Sequence, residues 1–525
     1  MLNMAERTLT MNKERLHPLM LVGTGSDVGK SVLATALCRI FVQDGYHPAP
    51  FKAQNMALNS YATPEGMEIG RAQAVQAEAA RLAPHTDMNP LLLKPNSEHT
   101  TQVVLNGKPI GNRSAYDYFR KEGREELRQA VNDAFDRLAV KYNPIVMEGA
   151  GSVSEINLRD SDLVNMPMAR HADADVILVA DIDRGGVFAS VYGSIMLQTP
   201  EDKARIKGII INKFRGDLRL FDEGRKMMEE LCGVPVLGVV PMFKDIVIEE
   251  EDSVELDRKR KDLDPPQPSL QGGSCRKVHV AVILLRHISN FTDFDILERD
   301  ERVNLFYTNI IKDIEKADII ILPGTKATLD DLYELRRNGV AQAIIRAHKD
   351  GKTVIGICGG YQMLGQMVSD PDGVEGNVPC LPGLGILPVE TVMTADKVTR
   401  QVEFDCGGNR CKGYEIHQGR TRKSTLTLNG EGERHEQFVE EDLPLVYIQD
   451  KCLGTYVHGI LDNPAVIDYL VTPLAERACE APAMTAEEFK DRQYDLLAEY
   501  VRRYVDIDKI YEIMAPHPPK GAAFG

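Results

Sequence analysis

Short runs of β-branched and aliphatic residues recur through the first half of the chain, at His17–Val22, Pro144–Met147, Val176–Ala180, Gly208–Ile211 and Val236–Val239. The runs are continuous rather than alternating, and each ends in glycine or polar residues before a stretch of helical periodicity. Strands apolar on both faces are covered on both faces, so the pattern predicts an α/β fold with a parallel, doubly wound sheet. From Glu249 to Arg276 the pattern stops, and EEEDSVELDRKRKDLDPPQPSLQGGSC has the charge, Pro, Gly and Ser of a linker. The runs restart at Val278–Leu284, Ile319–Leu322 and Val354–Ile357, followed by a β-rich stretch between Gly383 and Tyr456. Helical periodicity then runs from Pro464 to Tyr511, ahead of a Pro- and Gly-rich tail expected to fray. The predicted organisation is a first domain over 1–250, a linker over 251–275, a second α/β domain over 276–470, and a helical C-terminal segment with a flexible tail over 471–525.

Composition narrows the partners. The 525 residues are 43% hydrophobic and 27% charged, which excludes a disordered or fibrous chain. With 62 Lys and Arg against 78 Asp and Glu, the net charge of −16 works against phosphate backbones and anionic lipid, so neither nucleic acid nor membrane is an expected partner. No apolar run reaches the roughly 20 residues of a membrane span, and the first residues lack a secretory apolar core, so the expected location is cytoplasmic. Nine scattered cysteines without a CxxC pair point to reduced thiols.

The segment LMLVGTGSDVGKSVLATALCRIF reads as strand, glycine loop and helix. Glycines let backbone N–H groups approach phosphate oxygens, the helix N-terminus favours negative charge, Lys30 can bridge terminal phosphates, and the Ser31 hydroxyl suits Mg²⁺. Gly25, Val28, Gly29, Lys30 and Ser31 are therefore candidate ATP contacts, in a longer-loop variant whose first glycine is Gly23. Glu148, closing the run IVME, is placed where open parallel sheets gather ligands and is the candidate Mg²⁺ partner of Ser31. Asn212, closing GIIIN, can offer donor and acceptor to an adenine edge. Lys52, Asn55 and Arg184 are candidate contacts for an anionic acceptor or the transferred phosphate. Arg71 reads either as a further acceptor contact or as part of an exposed helix face.

In the second half, VIGICGGYQMLG runs a buried strand into Cys358, two glycines and a helix. Such an elbow exposes the thiol and offers N–H groups to an oxyanion, which makes Cys358 a candidate nucleophile. His458, in GTYVHG, is the candidate base, and His417, in YEIHQG, is the reserve or a pocket-lining residue. Backbone N–H groups of Gly359 and of Gly324, in LPGTKAT, are candidate oxyanion donors.

VGTGSDVGKS, FK at 51–52 and MEGAG resemble the dethiobiotin synthetase group of P-loop enzymes. FKAQNMALNS, DIDRGGVFAS and NKFRGD, with LPGTKAT, GICGGYQ, GYEIHQG and TYVHG, more closely resemble the cobyric acid synthase family, with its class I glutamine amidotransferase domain, over about 460 residues. The resemblance implies ATP with Mg²⁺, L-glutamine as ammonia donor, and amidation of the b, d, e and g carboxylates of adenosylcobyrinic acid a,c-diamide, a corrinoid. Two alternatives are the a,c-diamide synthase and a ParA- or MinD-like ATPase switch. In the dethiobiotin relatives an acid follows the strand-end lysine and assists the metal, whereas Gln54 and Asn55 stand here. Most class I domains follow the histidine with Pro and Glu, whereas Gly459 and Ile460 follow His458, so the resemblance implies a Cys–His dyad.

Overall fold

Strand β1 (Leu19–Gly23) is buried at every position and leads directly into the glycine loop and helix α1 (Lys30–Gln43) of a computed structural model. The structure describes residues 14–95, 100–114, 124–243, 245–249, 277–376, 378–428, 434–438, 443–475 and 484–516. The predicted linker over 251–275 and the tail from 517 onward lie outside these.

After β1 the chain adds β2 (Ala49–Phe51), helix α2 (Arg71–Ala79), β3 (Ile145–Glu148), β4 (Asp175–Asp181), β5 (Ile206–Phe214) and β6 (Val236–Pro241). The sheet order is β6-β5-β4-β1-β3-β2, and all its pairings are parallel. The chain winds to one side of β1 and then to the other, so the sheet has its switch point at the C-terminal end of β1, where the glycine loop stands. Between β2 and β3 a small sheet is inserted, built from Gln54–Met56, Leu91–Pro95, Thr100–Leu105 and Lys108–Ser114.

The second domain places β7 (Val278–Ile283), β8 (Val303–Thr308), β9 (Ile319–Leu322), β10 (Thr353–Ile357), β11 (Val446–Gln449) and β12 (Cys452–Thr455) in the order β8-β7-β9-β10-β12-β11. All pairings are parallel except β11 with β12. Helix α3 (Gly359–Leu364) leaves the end of β10. A long antiparallel ribbon, Val389–Cys406 against Asn409–Leu428, crosses that end of the sheet, and the two-residue strand Val457–His458 pairs with it at Tyr414 and Glu415.

The final helices return to the first domain. In α4 (Ala486–Tyr504) and α5 (Ile507–Met514), Leu497, Ala498, Val501 and Ile510 are buried in one cluster with Leu33, Leu37 and Phe41 of α1 and Leu19 and Leu21 of β1. Arg39 of α1, fully buried, pairs with Asp491 of α4. A capping box between Thr485 and Glu488 starts α4 by satisfying backbone donors at its N-terminus. Among the described residues no helix is long and apolar enough to cross a membrane.

Candidate active sites

The glycine loop owes its shape to contacts made from the sheet ends. Gly29 has φ 95°, a left-handed conformation suited to glycine, and a Cβ there would collide with the side-chain amide of Asn212. Asn212 Nδ2 donates to the Val28 carbonyl at 2.9 Å, so this residue braces the loop from the end of β5. Lys30 Nζ donates to the carbonyls of Gly25 at 2.9 Å and Gly151 at 3.0 Å, joining the loop to the segment after β3.

Glu148, 1% exposed, accepts from Lys52 Nζ at 2.7 Å, Ser31 Oγ at 2.8 Å and Gln76 Nε2 at 2.6 Å. Burial works against its charge, but Lys52, with the donors from Gln76 and Ser31, holds its pKa below the usual carboxylate value. The structure thus gathers Lys30, Ser31, Lys52 and Glu148 at one place. A hydroxyl and a carboxylate are hard oxygen donors that fit Mg²⁺, an ion bound by few protein ligands together with substrate phosphates. Among the described residues no group of three or more His, Cys, Asp or Glu side chains could hold a metal by itself.

Other predicted contacts are placed differently. Asn55 is buried, with Nδ2 on Gln73 Oε1 at 3.0 Å and its oxygen on the Met56 amide at 3.0 Å, and so helps fix the chain after β2. Arg184 is largely exposed and reaches Asp27 in the glycine loop at 3.2 Å. Arg71 is neither exposed nor turned to the loop: it is buried in an ion pair with Glu249, over the Tyr61 ring, and Glu249 also pairs with Lys490 of α4 at 2.7 Å. Beside the glycine loop, Gln54, Arg124, Gly151, Ser152, Arg159 and Asn165 help line a cavity of about 170 Å³.

The second site forms at the end of β10. Cys358 has φ 52° and ψ −112°, a strained elbow between strand and helix. A Cβ on Gly360 would collide with the Leu322 carbonyl and one on Gly359 with Thr325, so the two glycines permit the close approach of β9 and α3. Gly324 lies on the other side, where a Cβ would stand 3.3 Å from His458 Cε1. Cys358, His458, Gly324 and Gly359 are therefore brought together.

His458, 1% exposed, directs Nδ1 to Asp293 Oδ2 at 2.7 Å, and Asp293 Oδ1 accepts from the Gly459 amide at 2.9 Å. The expected dyad is thus corrected: a carboxylate does hold the histidine, supplied from 165 residues upstream. Asp293 was missed because no spacing ties it to His458; its one local sign is an acid set between Phe291 and Phe294 in a run that reads as core. Burial opposes an imidazolium at His458, but Asp293 and then Cys358 outweigh it and raise the pKa to about 10. His417 stacks on Tyr456 at 3.7 Å, donates from Nδ1 to the Gly419 carbonyl at 3.2 Å, and is pushed down to about 3 by burial, so it lines the pocket as a neutral ring.

The pocket around Cys358 also holds Gln362, Lys326, Glu375 and Lys397 and, from the first domain, Ser60 and Lys94. Lys94 Nζ donates to Ser60 Oγ and Glu68 Oε1, both at 2.8 Å, and Lys397 pairs with the other oxygen of Glu68. These residues were not singled out from the sequence, since Lys94 and Cys358 meet only through docking of the two domains.

Comparison with known proteins gives the same two halves. A family model described as the CobQ/CobB/MinD/ParA nucleotide binding domain matches residues 19–254, and one described as the CobB/CobQ-like glutamine amidotransferase domain matches 279–466. The chain is 66% identical over 509 residues to a cobyric acid synthase of Phocaeicola vulgatus, covering 96% of this chain and 99% of that one. It is 46% identical to a cobyric acid synthase of Syntrophobacter fumaroxidans, covering 95% and 99%. A crystal structure of a glutamine amidotransferase aligns to 37% of this chain and 97% of its own, at 17% identity and a TM-score of 0.27.

Proposed function

The chain belongs to the cobyric acid synthase family, ATP-utilising amidotransferases, and we propose that it amidates the b, d, e and g carboxylates of adenosylcobyrinic acid a,c-diamide with ammonia drawn from L-glutamine. The observation that carries this reading is the pairing in one chain of a phosphate loop backed by Lys52 and Glu148 with a thiol elbow beside His458 and Asp293.

At the thiol site Cys358 attacks the side-chain amide of glutamine, and backbone N–H groups of Gly324 and Gly359 receive the negative oxygen. His458, oriented by Asp293, takes the proton of the attacking thiol and passes it to the departing ammonia, leaving a thioester on Cys358. Its neutral form then takes a proton from water, which releases glutamate and restores the thiol.

At the phosphate loop a carboxylate oxygen of the acceptor attacks the γ-phosphorus of ATP, giving an acyl phosphate and ADP. Lys30 and the loop amides hold the phosphates, Lys52 offsets their charge, and Ser31 and Glu148 would hold Mg²⁺, which supplies charge neutralisation. Ammonia displaces phosphate from the acyl carbon and the amide forms.

The test is release of glutamate and phosphate by the purified protein with Mg-ATP and glutamine, with and without the a,c-diamide, alongside mass spectrometry of the corrinoid. Four successive acid-to-amide mass steps are expected. Equal turnover with and without the corrinoid, and no change in its mass, would overturn the acceptor assignment.

A further inference from the structure

The segment FKAQNMALNS, residues 51–60, serves both halves of the molecule. Near its start Lys52 meets Glu148 beside the glycine loop, and at its end Asn59 and Ser60 are buried against Asn290 of the second domain. Asn59 Oδ1 accepts from the backbone N–H of Asn290 at 2.6 Å, and Asn290 Oδ1 accepts from the backbone N–H of Ser60 at 3.0 Å. The two asparagines form a reciprocal clasp, each side chain bonded to the other segment's backbone. On the first-domain side the clasp is tied to α2: the Asn59 carbonyl accepts from the Arg71 amide at 3.3 Å, and Gln76, further along α2, donates to Glu148.

On the second-domain side Asn290 stands at a junction. Its φ of 52° is left-handed, a conformation asparagine tolerates, and it starts the short helical turn Phe291–Phe294 that carries Asp293. The Asp293 amide donates to the Asn290 carbonyl at 3.0 Å, and the amide of Ser289, one residue earlier, donates to the Gly324 carbonyl at 2.9 Å. One loop therefore places the carboxylate that holds His458 and abuts the turn at Gly324. A buried backbone N–H left without an acceptor is costly, so the Asn290 turn keeps this shape only while Asn59 is seated on it. We propose that Asn59 is a positioning residue for the thiol site: acting through Asn290 and Asp293, it aims His458 at Cys358, so that a side chain of the nucleotide-binding half completes the thiol centre. This rests on the amidotransferase reading above. Ser60 adds a second hold, since Tyr414 Oη donates to its carbonyl at 3.3 Å and the Tyr414 ring stacks on that of His458 at 5.5 Å.

The test uses the full chain with Mg-ATP and adenosylcobyrinic acid a,c-diamide, and measures glutamate release from glutamine and, separately, amidation from ammonium salts. Asn59→Ala should lower kcat for glutamine by roughly 10²-fold with its KM unchanged, because a base displaced by about 1 Å loses that much. Asn290→Gly, which suits the left-handed backbone but lacks the acceptor, should do the same. Ammonium-driven amidation should continue at the unaltered rate in both variants. Asn59→Asp, which keeps an acceptor for the Asn290 N–H, should restore most of kcat. Adding Asn59→Ala to Asp293→Asn should cost little beyond Asp293→Asn alone, since residues that act through one another are not additive. Mg-ATP binding checks that each variant folds. An unchanged kcat in folded variants, a full additive loss in the double variant, or an equal fall in the ammonium route would each overturn the positioning role alone. No glutamate release by the unaltered protein, together with no labelling of Cys358 by a diazoketone analogue of glutamine, would overturn the amidotransferase reading as well.

Discussion

The imidazole of His458 is held at 2.7 Å by the carboxylate of Asp293, a residue of the first loop of the second domain's sheet, and not by any residue near it in the chain. An imidazole held in this way presents Nε2 towards the thiol, so the tautomer and the aim of the base depend on Asp293. Asp293→Asn should lower glutamine-dependent turnover by roughly 10²- to 10⁴-fold while ammonium-driven amidation continues. Side-by-side rates with glutamine and with ammonium salts check this.

The same pair should leave a mark on stability. His458 has a folded pKa near 10, above its unfolded value, so its stabilising contribution is fully present below about pH 6.5 and is lost as pH rises through about 10. Denaturant midpoints measured from pH 6 to 10 should therefore fall more steeply in the unaltered protein than in Asp293→Asn.

The two sites should separate cleanly by substitution. Cys358→Ala is expected to abolish the glutamine-dependent reaction and to preserve amidation from ammonium salts, and loss of both would make the thiol structural. Lys30→Ala should remove both routes, because each requires the acyl phosphate. Product formation from ammonium by that variant would refute the placement of ATP.

Lys52 and Glu148 form a buried pair, so removing one partner strands a charge. Lys52→Met should cost roughly 3–5 kcal/mol, and the double variant Lys52→Met/Glu148→Gln should recover much of that loss. Urea unfolding of the three proteins decides it.

Leu497 of α4 is fully buried against the helix that follows the glycine loop. Leu497→Ala should destabilise the protein by about 2–5 kcal/mol, read as a lower thermal midpoint. The midpoint should remain responsive to Mg-ATP, since the loop itself is untouched.

What could be read from the chain was local. The glycine loop with Lys30 and Ser31, and the strand that runs into Cys358, carry their geometry in consecutive residues, so backbone needs and chemistry coincide within a dozen positions. Glu148 and His458 were legible because each closes an apolar run. Asp293, Lys326 and Glu375 could not be found in that way, for their partners are set by how strands are ordered in a sheet. Arg71 shows the opposite failure. It has the chemistry of a ligand contact, yet packing assigns it to Glu249.

The return of α4 and α5 to the first domain has a consequence for how the protein is made. The apolar face of α1 and the guanidinium of Arg39 await partners that are translated after every strand of the second domain. A nascent chain stalled anywhere before residue 486 lacks that cover, so the nucleotide-binding half cannot reach its final core on the ribosome ahead of the thiol half. The order of synthesis therefore ties completion of the nucleotide-binding half to that of the half that carries Cys358.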